Sequence, residues 1–332
     1  DDIRRLTSVV CHSLSDVPDI IDTWNEGKVA DVEGYYENAK INRVYVDRVH
    51  VKKAFAEYAA AYNADDPKIK LKIDHTYRVA ALCERIAKAA GMCAYDVELA
   101  WLSGMLHDVG RFEQIKRYNT FSDADSVDHA KFGADLLFKD GLISTFLKGM
   151  VKCTGYKPGA LEDRYSSDGV FLYDRLNKSD MEMLELAIRC HNMYRIPQGL
   201  NSREQAFCNV LRDADKVDIF KVNIDTPLEE IYNTTTEELM KSNITDEVLE
   251  AFDEEHCILK AIRRTPADTV IGHVSLAYEL VYDESVRITV EQGYLAKLMH
   301  FNSDNEETNR KMAVVREKMD SYVKKRIGEK DA

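Results

Sequence analysis

Residues 106–111 read Leu-His-Asp-Val-Gly-Arg and set two strong metal ligands, His107 and Asp108, side by side after an apolar run. A His-Asp pair alone says little. Four further residues give it weight, because His75, His129, His191 and Asp215 each fall on an amphipathic segment of their own. Imidazole and carboxylate donors suit Fe, Mn, Zn, Co or Ni, and helical bundles build such sites from facing side chains in their cores. The expectation is a two-metal site inside a helical bundle. Adjacent helical residues point about 100° apart, so His107 and Asp108 can serve one ion if the helix end aims at it. Asp108 then keeps a second oxygen for another ion. Gly110 reads as the break that ends this helix.

The elements that must position these residues are legible as helical periodicity. His75, Val79, Leu82 and Ile86 recur at helical spacing within 69–90, which puts the imidazole on the core-facing stripe, and Gly91 supplies a stop. A helix over 96–107 carries the His-Asp pair, and His129 shares a face with Phe132 and Leu136. Ser179 and Glu182 form a capping-box pattern opening a helix to His191. Residues 204–220 form the next helix, and its three acids Asp213, Asp215 and Asp218 sit among apolar neighbours. Buried carboxylates need partners, and a metal is one candidate. An earlier helix spans 44–63, and later ones are expected at 236–242, 245–264, 267–282, 284–300 and 305–328. His273 and His300, without neighbouring ligands, read as structural or exposed. The region 141–178 is less regular, and its Lys148, Lys152, Lys157 and Arg164 are candidates for a substrate mouth. Few prolines and glycines, and no alternating β-branched runs, make the fold class all-α.

The chain has 332 residues, with 45 basic and 58 acidic side chains for a formal net charge of −13. That balance disfavours non-specific binding to nucleic acid or to an anionic membrane, but not a small anionic substrate, because bound divalent ions reverse the potential locally. Seven cysteines without a C-x-x-C pair read as a reducing compartment rather than a disulfide framework. No apolar run reaches the roughly 18 residues of a membrane span, and no signal peptide is seen. A cytoplasmic location is expected.

In this arrangement the sequence resembles the HD-domain superfamily of metal-dependent phosphohydrolases. The residues that carry the resemblance are His75 in Asp-His-Thr-Tyr-Arg-Val-Ala, the His107-Asp108 doublet, and Asp215 in Arg-Asp-Ala-Asp-Lys-Val-Asp. His129 and His191 match the two additional histidines of the subset with binuclear sites. The resemblance covers 45–222, with 1–44 as an N-terminal helical arm and 223–332 as a C-terminal helical extension packed on the HD core.

It implies that His75, His107, Asp108 and Asp215 hold one divalent ion and that His129 and His191 hold a second, with Asp108 bridging. It further implies a hydroxide shared by the two ions as nucleophile. Arg111 and Lys216 are the candidates to stabilise charge on the transferred phosphoryl group. A lysine is common at the Arg111 position in binuclear relatives, so that residue departs from their pattern. Gln114, Arg117 and Asn192 are candidates to line the substrate pocket. The implied activity is phosphate-ester hydrolysis on a nucleotide, a cyclic dinucleotide or a small phosphorylated metabolite. Two alternatives stay open. Some proteins with this ligand set are di-iron oxygenases cleaving C–C or C–P bonds, and others on this scaffold are non-catalytic nucleotide sensors, whose usual sign is a lost ligand.

Overall fold

The computed structural model describes residues 43–147 and 171–328, apart from 45, 64, 173–175 and 177. The expected arm at 1–44, apart from Arg43 and Val44, and the basic residues Lys148, Lys152, Lys157 and Arg164 lie outside the described residues. The chain divides into two compact units, one of Asp1–Ala54 with Ser144–Lys178 and one of Phe55–Ile143 with Ser179–Ala332. In the first, β1 (Arg43–Val44) and β2 (Phe171–Leu172) form a short parallel pair. His50 Nε2 there lies 3.1 Å from the Thr145 carbonyl. Everything else described in secondary structure is helical, so the fold is all-α. None of the described helices is long and apolar enough to cross a membrane.

By sequence α1 (Arg48–Ala60) contributes to both units. The second unit is built around the hairpin of α2 (Pro67–Ala89) and α3 (Ala94–Leu106). Asp66 caps α2 by accepting from the Lys68 N–H, and Pro67 opens it, as a first-turn proline can. The buried faces meet closely at Gly104, where a Cβ would sit 2.6 Å from the Ala80 Cα. Then come α4 (Val109–Tyr118) and α5 (His129–Ala134), the latter continued by a π-helical turn over Asp135–Lys139. After α6 (Ile143–Phe146), α7 (Lys178–Cys190) leads to α8 (Ser202–Asp225), the long helix packed across α2 and α3. Asn201 and Glu204 form a reciprocal capping box on α8. The capping box expected at 179–182 lies instead within the first turn of α7, which begins at Lys178.

Gly110 does not end a helix. It lies inside α4, where a Cβ would come 2.4 Å from the His129 carbonyl oxygen and 2.7 Å from the Gly133 nitrogen. Its missing side chain lets α4 and α5 touch backbone to backbone. The break falls earlier, at Asp108, whose φ of −107° and ψ of 14° leave the helical region.

Beyond α8 the chain continues through α9 (Leu228–Tyr232), α10 (Thr236–Lys241), α11 (Asp246–Phe252), α12 (Pro266–Val274), α13 (Asp283–Gln292), α14 (Tyr294–Met299) and α15 (Glu306–Ile327). These are shorter than the periodicity predicts. The 245–264 segment leaves the α-helix after Phe252 and the 267–282 segment after Val274, where 3₁₀ turns take over at Lys260–Ile262 and Ser275–Glu279. The 284–300 segment divides at Gly293, whose φ of 69° is left-handed. Helix α8 packs against α13 and α14, so this region belongs to the same compact unit as the α2–α3 hairpin.

Candidate metal centre

Six side chains predicted from the sequence converge. His75 projects from the buried stripe of α2, and His107 and Asp108 occupy the break between α3 and α4. His129 is the first residue of α5, behind its N-cap Asp128. His191 directly follows α7, and Asp215 lies midway along α8. The four histidine residues and Asp108 are at most 4% exposed.

Each histidine is held by its outer ring nitrogen. His75 Nδ1 lies 2.6 Å from Asp218 Oδ2, and His107 Nδ1 lies 2.8 Å from the Gly104 carbonyl. His129 Nδ1 lies 2.7 Å from Asp123 Oδ2, and His191 Nδ1 lies 2.7 Å from the Ile188 carbonyl. These oxygens can only accept, so each Nδ1 donates. The inner Nε2 of each neutral ring is left with a lone pair, the tautomer a metal requires. Those lone pairs face each other in two close pairs, His75–His107 at 3.3 Å and His129–His191 at 3.1 Å.

Asp108 sits between the pairs. Its Oδ2 is 3.5 Å from both His75 Nε2 and His107 Nε2, while its Oδ1 is 3.6 Å from His129 Nε2 and 3.8 Å from His191 Nε2. Oδ1 is buried with no hydrogen-bond partner. Asp215 Oδ1 lies 3.1 Å from His75 Nε2 and 3.8 Å from His107 Nε2. Converging lone pairs and an orphaned carboxylate oxygen are costly without a cation. The donors of His75, His107 and Asp215, and those of His107, Asp108 and His191, each lie within 4.8 Å of one another. The donor set fits divalent metal.

The protonation balance agrees at three of the four histidines. Burial drives His129 and His191 down to about 4, helped by Arg111 and by His107 respectively, and it lowers His107 as well. Burial alone would raise the Asp108 carboxyl, but Lys72, His107, His129 and Arg111 hold it well below the usual range. His75 is the exception: burial and Lys72 oppose its cation, yet the hydrogen bonds it donates to Asp215 and Asp218 outweigh them and raise it.

The centre opens into a cavity of about 620 Å³. Arg111, Asn192 and Lys216 line it. Arg111 Nη1 donates to Gln114 Oε1, the Phe121 carbonyl and Asp123 Oδ1 at 2.7–2.9 Å. Lys216 is buried, and desolvation together with Arg212 lowers it to about 8. Gln114 is brought close but fully buried, donating to Asp123 Oδ1, Ser126 Oγ and the Val127 carbonyl, so it braces the 119–128 loop rather than facing the cavity. Arg117 is not brought to the cavity; it pairs with Glu113 at 2.9 Å and lies over the Phe132 ring.

Several contributors escape sequence reasoning. Lys72, one turn before His75, reaches Asp108 Oδ2 at 2.7 Å. Its i, i+3 spacing from His75 was a usable signal. The three acids of α8, read together as buried charges in need of a metal, divide their roles. Only Asp215 faces the centre. Asp218 takes His75 and a bidentate Arg78 at 2.6 and 2.9 Å, and Asp213 takes the N–H groups of Val281 and Tyr282. His273, read as structural or exposed, lines the cavity alongside Ile258, Lys260 and Arg263.

Residues 73–223 match the family model of the HD domain. The chain carries that domain, a helical fold whose members are in the main metal-dependent phosphohydrolases. Searches of curated proteins and of solved structures find no match. The matched segment holds all six converging side chains, and the wall formed by 257–279 lies beyond it.

Proposed function

We propose that the protein is a binuclear metal-dependent phosphohydrolase acting on a small phosphorylated substrate, a nucleotide, cyclic dinucleotide or phosphorylated metabolite. In this reading His75, His107, Asp108 and Asp215 hold one divalent ion and His129 and His191 a second, with Asp108 shared. One observation carries it: the two oxygens of Asp108 are divided between two histidine pairs. Divalent ions in such a site activate water near neutral pH and offset phosphate charge.

The chain's own residues supply the rest. Asp218, Asp123 and two backbone carbonyls orient the imidazoles so that Nε2 points inward. Arg111 and Lys216 line the cavity beside the ligands and are suited to phosphoryl oxygens, and Lys72 adds a third cation. Burial of the site strengthens each of these interactions. Cations in the lining also favour an anionic substrate, which sets this reading apart from an oxygenase acting on an uncharged molecule.

The test combines elemental analysis with a hydrolysis screen over aryl phosphates, nucleotides and cyclic dinucleotides. Two equivalents of metal and metal-restored, oxygen-insensitive hydrolysis are expected. Oxygen uptake by a di-iron form, without hydrolysis of any ester, would overturn the reading.

A further inference from the structure

Three cations in the cavity have no carboxylate partner among the described residues: Lys216, Lys260 and Arg263. Two of them come from the 257–279 wall, outside the matched domain. The Arg263 guanidinium lies flat against Gly272, where a Cβ would fall 2.2 Å from its Cζ, and its Nη2 donates to the Ile258 carbonyl. Its Nε is buried with no acceptor, and so is Nδ1 of the neighbouring His273. Of the two acids in this range, Asp268 accepts the Thr245, Arg264 and Thr265 N–H groups, and the cavity-lining Glu279 is engaged by the Cys257 N–H at 3.2 Å and faces Arg212 at 3.8 Å. A half-buried guanidinium without an anion is expensive to keep. Here it is kept in a chain of net charge −13, where acids are plentiful. The lining also includes the apolar Ile219, Ile258 and Leu276. The cavity is of a size that encloses a whole small metabolite.

We propose that the 257–279 wall is a second anion-binding subsite, in which Arg263 and Lys260 take a second phosphate or carboxylate of the same substrate. The substrate then carries two anionic groups joined by a partly apolar spacer, one at the metal centre and one at Arg263. This rests on the phosphohydrolase reading for the identity of the first group. Arg263 and Lys260 are specificity-determining, because they discriminate between molecules that share a scissile phosphate.

Calorimetric titration of metal-replete protein with non-hydrolysable probes tests this. Alkylphosphonates are compared with ω-phosphonocarboxylates and α,ω-bisphosphonates of matched, increasing length. The doubly anionic probes are expected to bind at least ~10-fold tighter at one spacer length, as a charge-assisted contact in a desolvated site allows. The two series distinguish carboxylate from phosphate. Arg263→Gln is expected to bring that ratio to near one, and Lys260→Gln, at an exposed position, to reduce it without a change in melting temperature. Equal affinity of singly and doubly charged probes at every length overturns the subsite and leaves the phosphohydrolase reading standing. Failure of every phosphonate to bind overturns both.

Discussion

His75 and Asp218 are joined at 2.6 Å across 143 residues of sequence, and Arg78 closes on the same carboxylate from the other side. The contact ties the first ligand helix to the last and fixes the His75 tautomer. Asp218→Asn keeps the shape and removes the charge. Metal affinity should fall ~10–100-fold, read by competition with a chromophoric chelator, while the circular dichroism spectrum is retained. Unaltered affinity would show that Asp218 serves the fold alone.

Asp108→Ala should remove both ions, because each histidine pair loses its shared carboxylate oxygen. Elemental analysis after gel filtration checks the stoichiometry, and hydrolysis should drop below detection. A variant retaining two equivalents would refute the bridging assignment.

Asp213→Ala makes the opposite separation. Asp213 accepts the Val281 and Tyr282 N–H groups at 3.0 Å and the Ser285 hydroxyl at 2.7 Å, at the start of α13. Leaving these donors unpaired should cost roughly 1–3 kcal/mol or more. Denaturant unfolding should report the loss, with metal content per folded molecule unchanged. Loss of metal at full stability would put Asp213 in the centre instead.

Gly110→Ala should strain the α4–α5 contact by driving a methyl into the His129 carbonyl and the Gly133 backbone. Overpacking of this kind costs about 1–3 kcal/mol. Because His129 is itself the displaced residue, chelator competition should also show weaker metal binding. A melting temperature equal to the parent's would contradict the tight approach.

Stability at acid pH should depend on His273, which burial, with Arg263 and Lys260, drives down to about 3. Above the unfolded value of about 6.5 the ring is neutral in both states. As pH falls through 6.5 the unfolded chain gains a proton that the folded chain refuses until about 3, so stability is lost across that window. With chelator present throughout, His273→Gln should lose less stability between pH 7 and pH 5 than the parent. Parallel stability curves for the two proteins would rule this out.

The six converging side chains were readable because each lies on or beside a local pattern. His75 falls on the stripe of Val79, Leu82 and Ile86, all buried, and Asp215 lies on a helix whose apolar neighbours Leu211 and Val217 are buried. Periodicity reports which face of a helix is buried. It does not report which partner meets that face, and so Asp213, Asp215 and Asp218 looked alike in sequence although they bind a helix start, the metal centre and a histidine.

By itself, then, the sequence determined the helical class, the six converging donors and the chemistry they favour, because residue type and 3.6-residue spacing are local properties. Tertiary structure decided which nitrogen of each histidine faces inward, that Gly110 joins two helices rather than ending one, and that Lys72, Asp123 and the 257–279 wall complete the cavity. Each of these depends on atoms from segments far apart in the chain. Only packing brings such atoms within hydrogen-bonding distance, and no local pattern encodes that approach.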